Sequence, residues 1–330
     1  MSAKTTLLAV VATLCAAPAF AQVPPTTPPA GGPPAAAPAR PQGPAAKSPE
    51  TRWIRRQYRD VRYAPLSPAQ ALDIYLPNEG DGPFPVIVAV HGGAFMMGDK
   101  ADGQLAAPLE GVRRGYAVVS VNYRLSGEAT FPAAVQDVKS AVRFLRANAA
   151  RYGLDGSRIA AWGGSAGGHL VSMLGTTGRA RRFDDPAAGN ASQSSAVQAV
   201  VDWFGPIYFD RMDAQFAAGK KGRPDHGAAG SPESRFLGKA VADAPALAAD
   251  ASPATYLDKD APPFFVEHGD ADPLVPTEQS IQFVAAIRAA AGNDRAVLTI
   301  LPGAGHGGPQ FETPANLDLV FAFLYKALRR

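Results

Sequence analysis

This sequence predicts an α/β fold with a mostly parallel central sheet and helices on both faces, and three observations carry that reading. Six short runs are almost continuously apolar, as strands covered on both faces of a parallel sheet must be. Segments with helical periodicity alternate with them. Glycine-rich turns follow several of the run ends, where open α/β sheets gather their ligand-binding loops.

Two polar-apolar stretches, Tyr58 to Tyr63 and Ala71 to Leu76, suit an antiparallel edge pair. The buried strands are read at Pro85 to Val90, Tyr116 to Asn122, Ile159 to Trp162, Val197 to Trp203, Phe264 to Glu267 and Ala296 to Leu301. Between them, Ala133 to Arg151 places Val135, Val138, Val142 and Leu145 on one helical face. Glu278 to Ala291 does the same with Ile281, Val284 and Ile287, and the last helix is Leu317 to Leu328. Two inserts, 176–196 and 206–260, complete the chain, the second rich in Ala, Gly, Asp and Pro. There is no internal repeat.

The chain has 330 residues and divides by composition into three parts. Lys4 precedes an apolar run from Leu7 to Ala17, and Ala19-Phe20-Ala21 has the small-x-small form of a signal-peptidase site, so 1–21 reads as a signal peptide. The run is too short to span a bilayer comfortably. Residues 22–50 are almost all Pro, Ala, Gly and Thr, which cannot bury a core and which reads as a disordered tether. Residues 51–330 are long enough for one large catalytic domain that buries roughly three quarters of its unfolded surface. A secreted or periplasmic location follows as the expectation. Cys15 is the only cysteine and would leave with the signal peptide, so no disulfide or thiol chemistry is expected.

The net charge is +3, and Lys4, Arg40 and Lys47 less Glu50 supply +2 of it, leaving about +1 for 51–330. Arg52, Arg55, Arg56, Arg59 and Arg62 are interleaved with Trp53 and Tyr58, a pattern compatible with an anionic polymer. An exposed first strand with charged edges explains it more simply, so no nucleic-acid partner is inferred.

The chemistry begins at Gly163-Gly164-Ser165-Ala166-Gly167, between a strand-like run and a helix-like run. A Gly-x-Ser-x-Gly turn in that setting exposes its serine on a sharp bend, which makes Ser165 a candidate nucleophile. By itself the pentapeptide could be an ordinary glycine-rich loop. A nucleophilic serine needs an imidazole base, and there are five histidines. His169 lies one turn beyond Ser165 on the same helix, His91 holds a strand-end turn, and His226 falls in a polar insert and reads as exposed. His268 ends a strand and anchors the turn after it. His306 remains, flanked by glycines in the loop Gly303 to Gly308 that lets the ring swing inward.

An acid must orient the base, and the segment after His268 offers Asp270 and Asp272. Oxyanion donors are sought in the turn His91-Gly92-Gly93-Ala94-Phe95, where the Gly92 and Gly93 amides would join that of Ala166. Phe95, Met96, Trp203, Phe204 and Tyr208 are candidates for the substrate pocket, with core packing as the alternative for each.

Several motifs in fixed order resemble one family. They are His91-Gly92-Gly93-Ala94-Phe95 with Gly98-Asp99-Lys100, Asn122-Tyr123-Arg124-Leu125, Phe131-Pro132-Ala133-Ala134, Tyr152-Gly153-Leu154-Asp155, Gly164 to Leu170, His268-Gly269 with Asp272 and Val275-Pro276, and Gly305-His306-Gly307. Together they resemble α/β-hydrolases of the hormone-sensitive-lipase-like group, and among those the bifunctional carbohydrate acetyl and feruloyl esterases. The resemblance spans about residues 60 to 330. It implies the α/β-hydrolase fold, a triad of Ser165, Asp272 and His306, and an oxyanion hole of Gly92, Gly93 and Ala166. It further implies a small cap formed by the inserts and hydrolysis of short-chain or aryl esters, acetyl or feruloyl esters of plant polysaccharides among them. No metal or organic cofactor is implied, and the partner is a small-molecule or polysaccharide ester. Ala94 stands where the family usually has a third glycine.

The alternatives are a serine peptidase of the prolyl-oligopeptidase type, a broad-specificity lipase, and a binding-only relative. The first lacks its upstream propeller here, the second its broad apolar surface, and the third would have lost a triad member. A dinucleotide site fails because Ser165 occupies the place of the second glycine.

Overall fold

The structure is a computed structural model that describes residues 48–329. The segment 1–21 expected to be a signal peptide, and all but the last three residues of the expected tether, lie outside the described residues. Those described fall in one compact unit.

Eight strands form one sheet: β1 Arg56–Arg62, β2 Ala71–Leu76, β3 Phe84–Val90, β4 Ala117–Val121, β5 Leu154–Gly164, β6 Ala199–Trp203, β7 Phe264–Gly269 and β8 Ala296–Leu301. Their order is β1-β2-β4-β3-β5-β6-β7-β8. β1 pairs antiparallel with β2, and β2 with β4, whereas every pair from β4 through β8 is parallel. The six apolar runs predict β3 to β8, and the two polar-apolar stretches predict β1 and β2. β5 starts five residues earlier than its apolar run, because the polar Asp155-Gly156-Ser157 segment continues the strand direction beside the start of β3.

The helices are α1 Ala106–Leu109, α2 Ala133–Ala147, α3 Ala149–Tyr152, α4 Ala166–Thr177, α5 Met212–Gly219, α6 Pro232–Leu237, α7 Pro245–Asp250, α8 Thr277–Ala291 and α9 Pro314–Leu328. Alternate residues of β3 face two separate cores, which explains why its run is apolar without a break. Val86, Val88 and Val90 pack with α2, α4 and α8, while Ile87 and Ala89 pack with α1 and α9. Val135, Val138, Val142 and Leu145 are buried as their spacing predicts. On α8 the buried stripe is Ser280, Phe283, Val284 and Ile287, and Ile281 is exposed instead of sharing it. The continuous helix predicted from Ala133 to Arg151 is broken at Asn148 into α2 and α3, and α3 is closed by Gly153 at φ 65°.

β1 is mostly exposed, and its arginines find local partners. Arg59 Nε lies 2.9 Å from Asp73, and Arg56 donates to the Pro77 carbonyl at the end of β2. No described helix is long and apolar enough to cross a membrane.

Candidate active site

The strand β5 ends at Gly164 and the helix α4 starts at Ala166, so the whole reversal falls on Ser165, with φ 56° and ψ −125°. A non-glycine residue there is strained, and the surroundings must hold it in place. The Ser165 N–H donates to the Trp203 carbonyl at 2.9 Å, and its carbonyl accepts from His169 N at 3.0 Å. The small flanking residues are needed because the turn is crowded: a Cβ on Gly167 would lie 2.1 Å from the Val90 carbonyl oxygen.

His306 sits in the loop after β8, 34 residues beyond the acid and 141 beyond the serine. Its Nε2 is 2.8 Å from Ser165 Oγ, and its Nδ1 is 2.8 Å from Asp272 Oδ2. With Nδ1–H donating to the carboxylate, Nε2 is left to accept the serine proton. Asp272 is 1% exposed, and its Oδ1 accepts from the N–H groups of Leu274 and Val275 at 2.8 and 3.0 Å. Burial alone would raise its pKa, but the imidazoles of His268 and His306 outweigh that and hold it well below the usual carboxylate range. Asp270 does a different job: its Oδ1 accepts from Gly303 N at 2.7 Å and braces the loop that carries His306.

The other histidines have structural settings. His169 is fully buried, donates Nδ1–H to the Pro206 carbonyl at 2.8 Å and stacks on Phe209. Burial pushes its pKa down to about 4, so the ring is neutral. His91 stacks on Tyr123 and hydrogen-bonds the Gly92 carbonyl. His226, expected to be exposed, is instead half-buried, stacked on Phe216 and 3.1 Å from Glu233. His268 anchors the turn after β7 through the Val275 carbonyl at 3.0 Å.

The oxyanion turn departs from the prediction at one residue. The Gly92 N–H is committed to Gln104 Oε1 at 2.9 Å, so it does not point into the site. Gly93 and Ala94 line the cavity, and among the described residues their N–H groups and that of Ala166 donate to no protein acceptor. Ala94 sits at φ 53° in the left-handed region, a strained conformation for alanine. Gly93, at φ 107°, has to be glycine, since a Cβ there would meet the Met97 carbonyl oxygen at 2.2 Å.

A cavity of about 640 Å³ opens over Ser165 and His306. Trp203 and Phe204 line it as predicted, joined by Trp162, Phe311 and Leu105, with Asp102 and Gln104 toward the polar side. Phe95 does not line it: the ring is 1% exposed, stacked on Phe236 of α6 at 4.1 Å and edge-on to His169. Tyr208 is likewise packed away, under the Arg211 guanidinium, and Met97 rather than Met96 reaches the cavity. The positive φ of Ala94 and Phe95 rolls the chain over at this point, which sends the aromatic ring down into the core beneath the 206–260 insert. Gln104 and Phe311 were missed. Phe311 had a signal in lying five residues beyond His306, whereas Gln104 had none.

The BD-FAE family model matches residues 72–287. Esterase LipQ of Mycobacterium tuberculosis is 35% identical over 254 residues, which cover 76% of this chain and 57% of LipQ. Among solved structures, a truncated carbohydrate esterase from gut microbiota is 32% identical with a TM-score of 0.77, covering 86% of this chain and all of that one. A bifunctional GH43-CE protein of Bacteroides eggerthii is 37% identical with a TM-score of 0.74, covering 82% of this chain and 35% of that protein. The chain spans a little over half the length of the curated relatives it matches. With a family match across well over half its length and a sheet, nucleophile turn and loop order to suit it, the chain belongs to the BD-FAE esterase family, on an α/β-hydrolase fold.

Proposed function

We propose that this protein is an exported serine carboxylic-ester hydrolase that works through an acyl-enzyme. The observation that carries the reading is the unbroken relay from Ser165 Oγ through His306 to Asp272, two 2.8 Å hydrogen bonds that open onto one cavity. His306 takes the Ser165 proton as Oγ attacks the ester carbonyl. The N–H groups of Gly93, Ala94 and Ala166 receive the oxyanion, and His306 then protonates the departing alcohol. Water, activated by the same imidazole, releases the acid and restores Ser165.

The substrate class in this reading is short-chain or aryl esters, with acetyl or feruloyl esters of plant polysaccharides as the natural targets. Trp203 and Phe204 on the cavity lining suit an aryl group or a sugar face, and the carbohydrate-esterase relatives point the same way. The leader-like sequence at 1–21 and the Pro/Ala-rich tether at 22–50 support export, with 51–330 as the catalytic domain.

The test is a side-by-side assay of p-nitrophenyl esters of rising chain length, methyl ferulate and acetylated xylan. Turnover of acetate, ferulate or xylan esters above long-chain esters is expected. Strong butyrate activity with none on ferulate or xylan would defeat the polysaccharide assignment.

A further inference from the structure

We propose that His268 is a positioning residue: a second imidazole on the Asp272 carboxylate that fixes the acid so that it can aim His306 at Ser165. The proposal rests on the ester-hydrolase reading above. His268 stands in β7 one residue before its end, and its ring is completely buried. Nδ1 lies 2.7 Å from Ser280 Oγ on α8, and Nε2 lies 3.0 Å from the Val275 carbonyl and 3.2 Å from Asp272 Oδ2.

Those partners allow one tautomer of a neutral ring. A carbonyl can only accept, so Nε2 must carry the proton, and Nδ1 then accepts from the Ser280 hydroxyl. The Nε2–H donates to Val275 O, and the same nitrogen lies 3.2 Å from Asp272 Oδ2, close enough to place its positive edge against that oxygen. This completes the surroundings of the carboxylate, which when ionised offers about four acceptor sites. Two backbone N–H groups and the His306 Nδ1–H hydrogen-bond the carboxylate, and the His268 ring packs its Nε2 3.2 Å from Oδ2. A carboxylate held in this way has no freedom to rotate, and the ring plane of His306 is set by it.

The second imidazole also has an electrostatic consequence. Oδ2 divides its negative charge between the positive edges of two rings, so His306 receives less of it than it would alone. Removing the His268 imidazole would strengthen the field on the His306 imidazolium, making that ring more basic, while it loosens the acid. The other ionisable group facing His268 is Asp202 on β6, itself tied to Ser172 and the Gly205 N–H. A histidine that merely pinned the turn through Val275 and Ser280 would leave the titration of His306 where it was.

The experiment measures kcat, KM and the acid limb of kcat/KM on p-nitrophenyl acetate, together with fluorophosphonate labelling. It uses the full chain as wild type, His268→Phe, His268→Gln and Ser280→Ala. Phenylalanine keeps the ring volume and removes the donor, and it should lower kcat roughly 10- to 100-fold with little change in KM. The acid limb should move to higher pH by about half a unit or more. His268→Gln, which keeps an N–H, should recover most of kcat and the original limb. Should His268→Phe fail to fold, Ser280→Ala, which removes the hydroxyl that holds Nδ1 and so loosens the ring, should move the limb in the same direction by less. If the wild type labels and both Phe and Ala variants keep its kcat within twofold and its limb unmoved, the positioning role is overturned alone. A wild type that does not label overturns the ester-hydrolase reading and this proposal with it.

Discussion

At the scale of single residues, the proposed site works by holding charge where water would otherwise compete for it. Asp272 is buried, yet its carboxyl stays ionised because three N–H groups hydrogen-bond it and the His268 ring lies beside it. A depressed carboxyl pKa contributes stability that is present above the unfolded value and is lost only as pH falls through the folded one. The acid limb of activity should therefore not report Asp272. Asp272→Asn keeps the shape but offers an amide N–H to His306, favouring the wrong tautomer, and kcat should fall about 10⁴-fold with the fold intact. A loss under tenfold in steady-state assays would remove Asp272 from the role proposed for it. Ser165 and His306 were legible in the sequence because a nucleophile and its base need distinct residue types in distinct loops, whereas Asp270 and Asp272 share one loop and only the family resemblance separated them. Gly92 was misread as an oxyanion donor because its amide is claimed by Gln104, twelve residues on, and nothing in spacing reveals a side-chain acceptor.

At the scale of elements, the nucleophile turn is a contact between two backbones. Gly167 on α4 lies against the end of β3, and any Cβ there would press into the Val90 carbonyl at 2.1 Å. That atom belongs to a central strand and cannot move aside. Gly167→Ala should cost about 3 kcal/mol in urea unfolding and displace Ser165, whereas Gly127→Ala, exposed and with nothing near its Cβ, should cost under about 0.5 kcal/mol. Equal midpoints for the two variants would refute the crowding argument. The strands were legible because burial on both faces leaves an unbroken apolar run. The helices α5, α6 and α7 of the 206–260 insert were not: their Ala-, Gly- and Asp-rich segments have weak periodicity, and their positions depend on partners such as Phe95 against Phe236, while no residue of the insert expected to form a cap lines the cavity.

At the scale of the whole molecule, two buried carboxyls set a pH dependence of stability. Burial pushes Asp202 up to about 6, partly offset by Ser172 and the Gly205 N–H, and pushes Glu267 up to about 7, partly offset by Asn316. For a carboxyl raised on folding, the folded state binds the proton more tightly, so stability is highest below the unfolded pKa near 4 and declines as pH rises through the folded value. Each is worth on the order of 2 to 3 kcal/mol across that range. Calorimetry should show a higher Tm at pH 5 than at pH 8, and Asp202→Asn with Glu267→Gln should flatten the difference. An unchanged difference in the double variant would show that other groups set it. The fold class was legible because strand and helix signals alternate along the entire chain, while substrate choice depends on a cavity assembled from five separate loops.

The central claim is that Ser165 becomes covalently acylated. The most direct measurement is peptide mass spectrometry after reaction with a fluorophosphonate, run on wild type and Ser165→Ala. One adduct is expected, on Ser165, with none on the variant, and a fall in kcat of roughly 10⁴ to 10⁶ for the folded variant. An adduct on another residue, or near wild-type turnover by Ser165→Ala, would contradict it.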